Sequence, residues 1–599
     1  MTKKSKMKRK ILFFTIKSAL VLFNTGIFLI ATSCSSRENS EIVPEDTNKV
    51  SVYINTSVFD NENIINTSIA STGKTIRNSS SSEIIAKERM VYGDVMDALI
   101  SMEKQKSEQS YKINTSASTS KSGAIAQTTT AMLSGKQFVV RLFNDNNGNR
   151  GTLYGEYTLT AGQATPIRVD SGKNYHWIAY STNENTLPAI AGNVISANDM
   201  INKDILYDSG ILANTQTGNN YLEIIFKHKA SRFHVLMNSQ GMFMPMSMTK
   251  GTGKISVGNG TGAAFKSLLT TRSFDVLQGE YINTAQLVNE VPLADTNFTN
   301  ALKDVYMYSS DEVVNIPANS LVIKISNILF KPDHMPGINT HDGLWGYTIP
   351  LYFGINNNSF NISRGATYEI TAKLLQSGVK FGNTIWAKGP LTNAPSIGAN
   401  NILAYRITPY NTLNNHSSLF WRWNELAPDG NGSTGPAPAS YTEDKDPCMQ
   451  LYPSGLWRMP TVAEAQEIAN ADPISTQGWL QPDPGNTSAS YFNMSFTPDT
   501  GGLQYFYGLR FQFMGYIDNN TGIQENKATI NSGDNVIENN AVSTRFWTKD
   551  NTGATAKAFV RYANFTAQSG QGVTVSVPNK GLITDMNKKH SLNIRCVRN

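Results

Sequence analysis

The sequence predicts a mainly β chain: two β-sandwich domains followed by an α+β domain. Three observations lead to that class. From residue 137 onward, short runs of β-branched and aromatic residues alternate with polar ones between Asn/Gly-rich turns, the pattern of half-buried strands. Charged residues make up 16% of the chain, below the ~25% usual in soluble domains, whereas 40% hydrophobic and 10% aromatic residues suffice for packed cores. One clean helix start stands near the beginning of the last quarter, in YPSGLWRMPTVAEAQEI (452–468). The 599 residues are enough for about three or four domains at ~150 residues each.

Residues 1–33 read as a secretory signal peptide, with a basic start, an apolar run and small residues before a cleavage point. Lys17 and Asn24 interrupt the run, which argues against a permanent transmembrane anchor. Ala31-Thr-Ser before Cys34 is similar to a bacterial lipobox, with Ala31 where Leu is usual. Lipidation at Cys34 would anchor the chain firmly to a membrane, since each buried CH₂ contributes roughly 0.8 kcal/mol. The net charge of +6 belongs to this segment: removing its seven basic residues from the 52 leaves 45, against 46 acidic ones. That balance does not predict nucleic-acid binding, which needs a concentrated basic face. The three cysteines are Cys34, Cys448 and Cys596. With Cys34 lipidated, Cys448 and Cys596 are a disulfide candidate in an exported compartment.

Residues 34–48 read as a tether. KVSVYINTSVF (49–59) alternates as a strand and opens a first sandwich over 49–232. Within it, the Ser/Thr-rich stretch 66–130 reads as an insertion, and SSEIIAKERMVYGDVMDALISMEKQ (81–105) is expected to form a helix. QFVVRLFNDNNGNRGTLYGEYTLT (137–160) is two strands around a tight turn. A second sandwich is expected over 233–376, closing near Leu375. The α+β domain fills 377–599. Its helix has a physical start: Thr461-Val-Ala-Glu464 is a capping box, and Pro460 prevents an earlier beginning. Val462, Ala465, Ile468 and Ala469 form the buried stripe, and Asp472-Pro473 ends it.

Several motifs weigh toward structure rather than chemistry. Asp145 to Glu156 follows the oxygen spacing of a calcium loop, but Arg150 stands where the sharp turn needs Gly, so a hairpin turn is expected. Met242, Met244, Met246 and Met248 lie two apart around Pro245, which reads as core or edge packing rather than a copper site. Gly258 to Ser267 lacks the second Gly of a phosphate loop, with Phe265 in its place. Gln481-Pro-Asp483 is an isolated tripeptide of the calcium-and-sugar kind. The seven histidines form no HxH or HExxH, and no GxSxG elbow occurs. No metal, cofactor or enzymatic activity is expected.

FVVRLFNDN, RVDSGKNYHWIAYSTNE and IIFKHKASRFHVLMNSQGMF, in that order over 137–250, resemble the fimbrillin (FimA/Mfa-like) family of Bacteroidales type V pili. The resemblance extends over roughly 34–375 and implies a two-domain sandwich, outer-membrane export, localisation on the cell surface and assembly with other pilus subunits. VKFGNTIWAKGPL, FWRWNEL, DPCMQLYPSGLWRMPTVAEAQEI and LNIRCVRN make 377–599 similar to C-type-lectin-like units, a fold also found in paralogous surface domains and the formylglycine-generating enzyme. That enzyme's cysteine pair is unmatched, since Cys596 lies three residues from the end and Cys448 precedes the helix.

Two functions are expected. One is an accessory, tip-type subunit of a surface fimbrium, assembled by β-strand addition, with an adhesive C-terminal domain whose ligand is a glycan or protein. Here 49–59 is the removable strand, Arg37, Arg77 and Arg89 are the candidate protease sites, and a disulfide-held C-terminus has no strand to donate. The alternative is a lipid-anchored surface protein that binds a glycan or other ligand and never polymerises. The aromatic residues Trp421, Trp423, Trp457, Trp479, Trp547 and Tyr505-Phe506-Tyr507 fit either a sugar-stacking surface or a core, with Trp457 expected in the core.

Overall fold

A computed structural model describes residues 48–59, 82–92, 96–105, 129–243, 246–247, 253–293, 302–330, 345–347, 350–393, 405–407, 419–428, 436–473, 475–477, 491–495, 509–525, 542–568, 572–576 and 580–599. The described residues are mainly β, with several sheets and one α-helix. No described helix is long and apolar enough to cross a membrane.

The first sheet runs in the order Thr129–Ala131, Lys49–Phe59, Asn219–His228, Leu206–Leu212, Tyr175–Ser181, Gln137–Asn146 and Asn149–Thr160, with Ile167–Asp170 also beside Lys49–Phe59. Lys49–Phe59 lies parallel to Asn219–His228, with Ile54 opposite Leu222 and Val58 opposite Phe226. Its alternation buries Val50, Val52 and Val58 in a core with Phe138, Trp177 and Phe226. The hairpin 137–160 turns on Asn147 (φ 52°) and Gly148 (φ 82°), the left-handed pair a tight two-residue turn demands. A four-stranded sheet that includes Thr270–Asp275 and Glu280–Leu287 packs Phe274 and Tyr281 on Val139 and Tyr180 of the opposite face.

The middle of the chain is built on a sheet of Ser82–Val91, Met96–Gln105, Thr367–Gln376, Ser231–Gly241 and Leu302–Ser309. A second sheet, containing Lys254–Asn259, Leu321–Ser326 and Leu351–Gly354, faces it. Phe233, Val235, Ile370, Ile255 and Ile323, from both sheets, fill one core.

The helix expected over 81–105 is not formed. The segment is a pair of antiparallel strands, with Met90 opposite Leu99, and Met96–Gln105 continues into Thr367–Gln376, with Ile100 opposite Ala372. These strands lie in the middle sheet and not within the first. Met96, Ala98, Ile100 and Met102 alternate and are all buried. A short run in which Met96, Leu99 and Ile100 also fall at helical spacing supports either period. Pairing with Thr367–Gln376 decides it, because the backbone groups on that edge of Thr367–Gln376 would otherwise lack partners.

The last unit joins a sheet of Val379–Phe381, Thr384–Trp386, Val597–Arg598 and Trp457–Arg458 to a larger meander containing Val542–Thr552, Thr555–Gln568 and Leu582–Asn587. The helix Val462–Asn470 buries Ala465, Ile468 and Ala469 against Phe546, Phe559 and Ala563. Val462 is only half-buried.

The strand register buries Ile100 and leaves Ile84 exposed. Ile100→Ala is expected to cost about 2–5 kcal/mol in urea unfolding, the range for emptying a packed core site. Ile84→Ala, at a position 52% exposed, is expected to change stability by less than ~0.5 kcal/mol.

Candidate functional site

Residues 592–596, LNIRC, are apolar at every second position, and Leu592, Ile594 and Cys596 are completely buried. Val597 pairs with Trp386 on one side and Arg458 on the other. The last strand is therefore interior to its sheet, with neighbours on both edges. Cys596 is disulfide-bonded to Cys448, with Cα atoms 5.7 Å apart across 148 residues. Asn599 N–H donates to Leu456 O at 2.9 Å.

Cys448 sits in the short turn Pro447–Gln450, capped by Asp446. The Asp446 carboxylate accepts from Cys448 N–H at 2.9 Å, Met459 N–H at 2.8 Å and Tyr441 OH at 2.6 Å. Burial raises its pKa against the pull of those donors. The helix begins as its capping box requires. Glu464 N–H donates to Thr461 Oγ1 at 3.2 Å, and Thr461 N–H returns to the Glu464 carboxylate at 2.7 Å. Arg458 adds a two-pronged contact to the same carboxylate at 2.8 and 2.6 Å. Burial alone would raise the Glu464 carboxyl, but the Arg458 and Thr461 hydrogen bonds outweigh it and hold it below its ordinary range. Val462 N–H donates to Asp550 at 2.7 Å, tying the helix start to the meander.

Arg598 extends from the last strand into the middle sheet. Its Nη2 donates to Asp97 Oδ2 at 2.7 Å and to Gln376 O at 3.0 Å, while its guanidinium lies 4.6 Å from the Trp457 ring centre. The side chains of Arg598 and Asp97 are only 6% and 4% exposed. Lys388, also buried, donates to Ser377 Oγ at 2.8 Å. Burial pushes its amine down to about 8, against the opposing charge of Asp97. This polar knot joins the strand pair 82–105, Thr367–Gln376 and the C-terminus. Sequence reasoning missed it. The available signal was Asp97, an acid inside the apolar alternation MDALISM.

Of the candidate sites read from the sequence, Cys448 and Cys596 are brought together, and Arg89 stands in a paired strand opposite Ile100, donating to Asn356 at 3.1 Å. Cys34, Arg37 and Arg77 lie outside the described residues, as do Gln481-Pro-Asp483, Trp479 and Tyr505-Phe506-Tyr507. Asp145 sits at the hairpin turn, bonded to Gly148 N–H at 3.1 Å and His176 at 2.9 Å, and Glu156 is paired with Arg141. Met242 is buried in the middle core. Among the described residues, no cluster of three His, Cys, Asp or Glu is arranged to hold a metal. Trp457 is in the core, as expected, and Trp421, Trp423 and Trp547 join it. The three indole N–H groups of Trp421, Trp423 and Trp547 donate to backbone carbonyls at 3.3, 2.8 and 2.8 Å, so these rings form no sugar platform.

No family model matches the chain, and no curated protein matches it in sequence. Among solved structures it is similar to a candidate cell adhesion protein from Bacteroides ovatus, at 12% identity over 54% of this chain and 92% of that one, with a TM-score of 0.25. A candidate cell adhesion protein from Bacteroides fragilis matches at 12% identity, 45% and 94% coverage and a TM-score of 0.25. A fimbrial anchor protein from Porphyromonas gingivalis matches at 8% identity, 33% and 72% coverage and a TM-score of 0.17. At such scores a likeness carries no argument, and function has to be read from the residues and geometry of this chain.

Two variants test the site. Glu464→Gln is expected to lose about 1.5–3 kcal/mol at neutral pH, the range for hydrogen bonds to a charged group. Because the folded carboxyl is depressed, the wild-type advantage is present above the unfolded value of ~4.3 and fades as pH falls through the folded value. Urea midpoints of the two proteins should therefore converge in acid. Arg598→Met leaves Asp97 buried without this partner and is expected to cost about 3–5 kcal/mol, while the double variant Asp97→Asn/Arg598→Met recovers much of it, as a double-mutant cycle would show.

Proposed function

We propose that the chain is an accessory, tip-type subunit of a surface fimbrium. It accepts a strand through its first sheet, donates none, and presents residues 377–599 as the adhesive unit. The observation that carries this reading is the commitment of the strand Val597–Arg598. Val597–Arg598 has neighbours on both edges, and Cys596 is cross-linked immediately before it. A strand held in that way cannot be offered to another subunit without dismantling its own domain.

The opposite end of the chain supports the acceptor role. Lys49–Phe59 contributes Val50, Val52 and Val58 to the first core. Beyond it, on the far edge from Asn219–His228, stand among the described residues only three of Thr129–Ala131 and the four of Ile167–Asp170. Its removal would open a slot whose floor accepts apolar side chains at every second residue, the requirement for strand addition. Of the candidate cuts beyond the first strand, Arg89 sits within a paired strand, where a protease that needs unpaired chain does not reach it, which leaves Arg77.

The lipobox-like Ala31-Thr-Ser-Cys34 favours a second reading, a lipid-anchored protein that keeps its first strand and binds its ligand as a monomer. Mass spectrometry of the mature N-terminus separates them. A chain beginning after Arg77 is expected for the subunit, and one beginning at acylated Cys34 would overturn that reading in favour of the anchor.

A further inference from the structure

In the last unit a narrow cleft lies between Leu509–Gln512, Val542–Thr552 and the run leading into the C-terminal strand. Nine residues line it, among them Gln512, Thr544, Arg545, Asn593 and Arg595, and none is acidic. Gln512 is 3% exposed, and its amide nitrogen has no hydrogen-bond partner. A buried donor left unmade costs about 1–3 kcal/mol, so a group that is retained in this state is poised for an acceptor. Arg595 is 4% exposed and lies 4.7 Å from the Phe511 ring centre, which fixes its planar guanidinium beside the cleft. Burial pushes Arg595 down to about 9, so it still carries its charge at neutral pH. Arg545 brings a second charge: its Nε donates to Ser543 Oγ at 3.0 Å, its Nη1 and Nη2 contact Met586 Sδ and Tyr562 OH at 3.7 and 3.5 Å, and it lies 4.1 Å from the Tyr516 ring centre, so it acts on the cleft through its charge. Asn593 is anchored through its own amide to Leu419 O at 2.9 Å.

We propose that this cleft binds one compact anion, with the Gln512 amide N–H donating to it and the positive charges of Arg595 and Arg545 holding it. An amide N–H beside two guanidinium charges suits a free halide or the carboxylate tip of a larger acidic molecule, such as a uronic acid. The inference stands whether or not the chain is a pilus subunit, because it rests on the cleft alone.

The test is the chloride NMR linewidth in solutions of the full chain. Excess broadening is expected with the wild-type protein, and its loss is expected in Gln512→Glu, where the new carboxylate occupies the cleft. Gln466→Glu, which adds the same charge on the exposed helix face, should keep it. Gln512→Leu, which removes the donor without adding charge, should also lose it while retaining the wild-type circular dichroism spectrum. Displacement of chloride by both acetate and galacturonate identifies the carboxylate as the occupant. Displacement by neither identifies the free halide. Broadening that is absent from the wild type, or equal in wild type and both Gln512 variants, overturns the proposal.

Discussion

Fixing of the C-terminal strand is the constraint on which the last unit depends. Val597–Arg598 is only two residues long, too short to hold its place by ladder hydrogen bonds alone. Its position comes from the Cys448–Cys596 bond behind it and the Arg598–Asp97 pair ahead of it. The cross-link closes a loop of 148 residues, which in the chain-entropy model contributes about 5 kcal/mol by restricting the unfolded chain. The ion pair acts differently. Two charges removed from water attract strongly but lose hydration, so the net gain is small. What the pair adds is specificity, since any arrangement that separates Arg598 from Asp97 leaves a charge buried alone.

That fixed strand organises the elements around it. Trp457 lies under Arg598 and next to the helix start. Arg458 carries the effect one residue further, from its pairing with Val597 to its two-pronged contact with Glu464. The helix that looks isolated in a β-rich sequence is thus placed from both sides: by the C-terminal strand through Arg458, and by the meander through Asp550.

What was legible in the sequence was whatever local chemistry settles alone. The Thr461/Glu464 box, the Asn147-Gly148 turn and the core position of Trp457 each come from a few neighbouring residues. The capping box lacks one thing the sequence could not supply, which is Arg458 folding back onto the same carboxylate. The segment 81–105 was misread because its apolar residues fit two periods, and the deciding partner, Thr367–Gln376, lies more than 260 residues away. Trp421, Trp423 and Trp547 left core and surface equally open, because an indole satisfied by a distant carbonyl looks the same in sequence as one awaiting a sugar. The same holds for the polar knot: Asp97 and Arg598 are at opposite ends of the described chain, and only the folded sheet makes them neighbours.

The two ends of the described fold therefore differ in kind. Lys49–Phe59 is held by hydrogen bonds and three buried valines, all of which another strand of matching alternation can replace. Burial of each valine contributes about 1.5–3 kcal/mol relative to exposure, so leaving the slot empty costs several kcal/mol and filling it recovers them. The C-terminal strand is held by a covalent bond and a buried ion pair, neither of which an incoming strand can reproduce. Exchange by strand addition requires that donor and acceptor states make equivalent contacts. The contacts of Lys49–Phe59 are of that replaceable kind, and those of Val597–Arg598 are not.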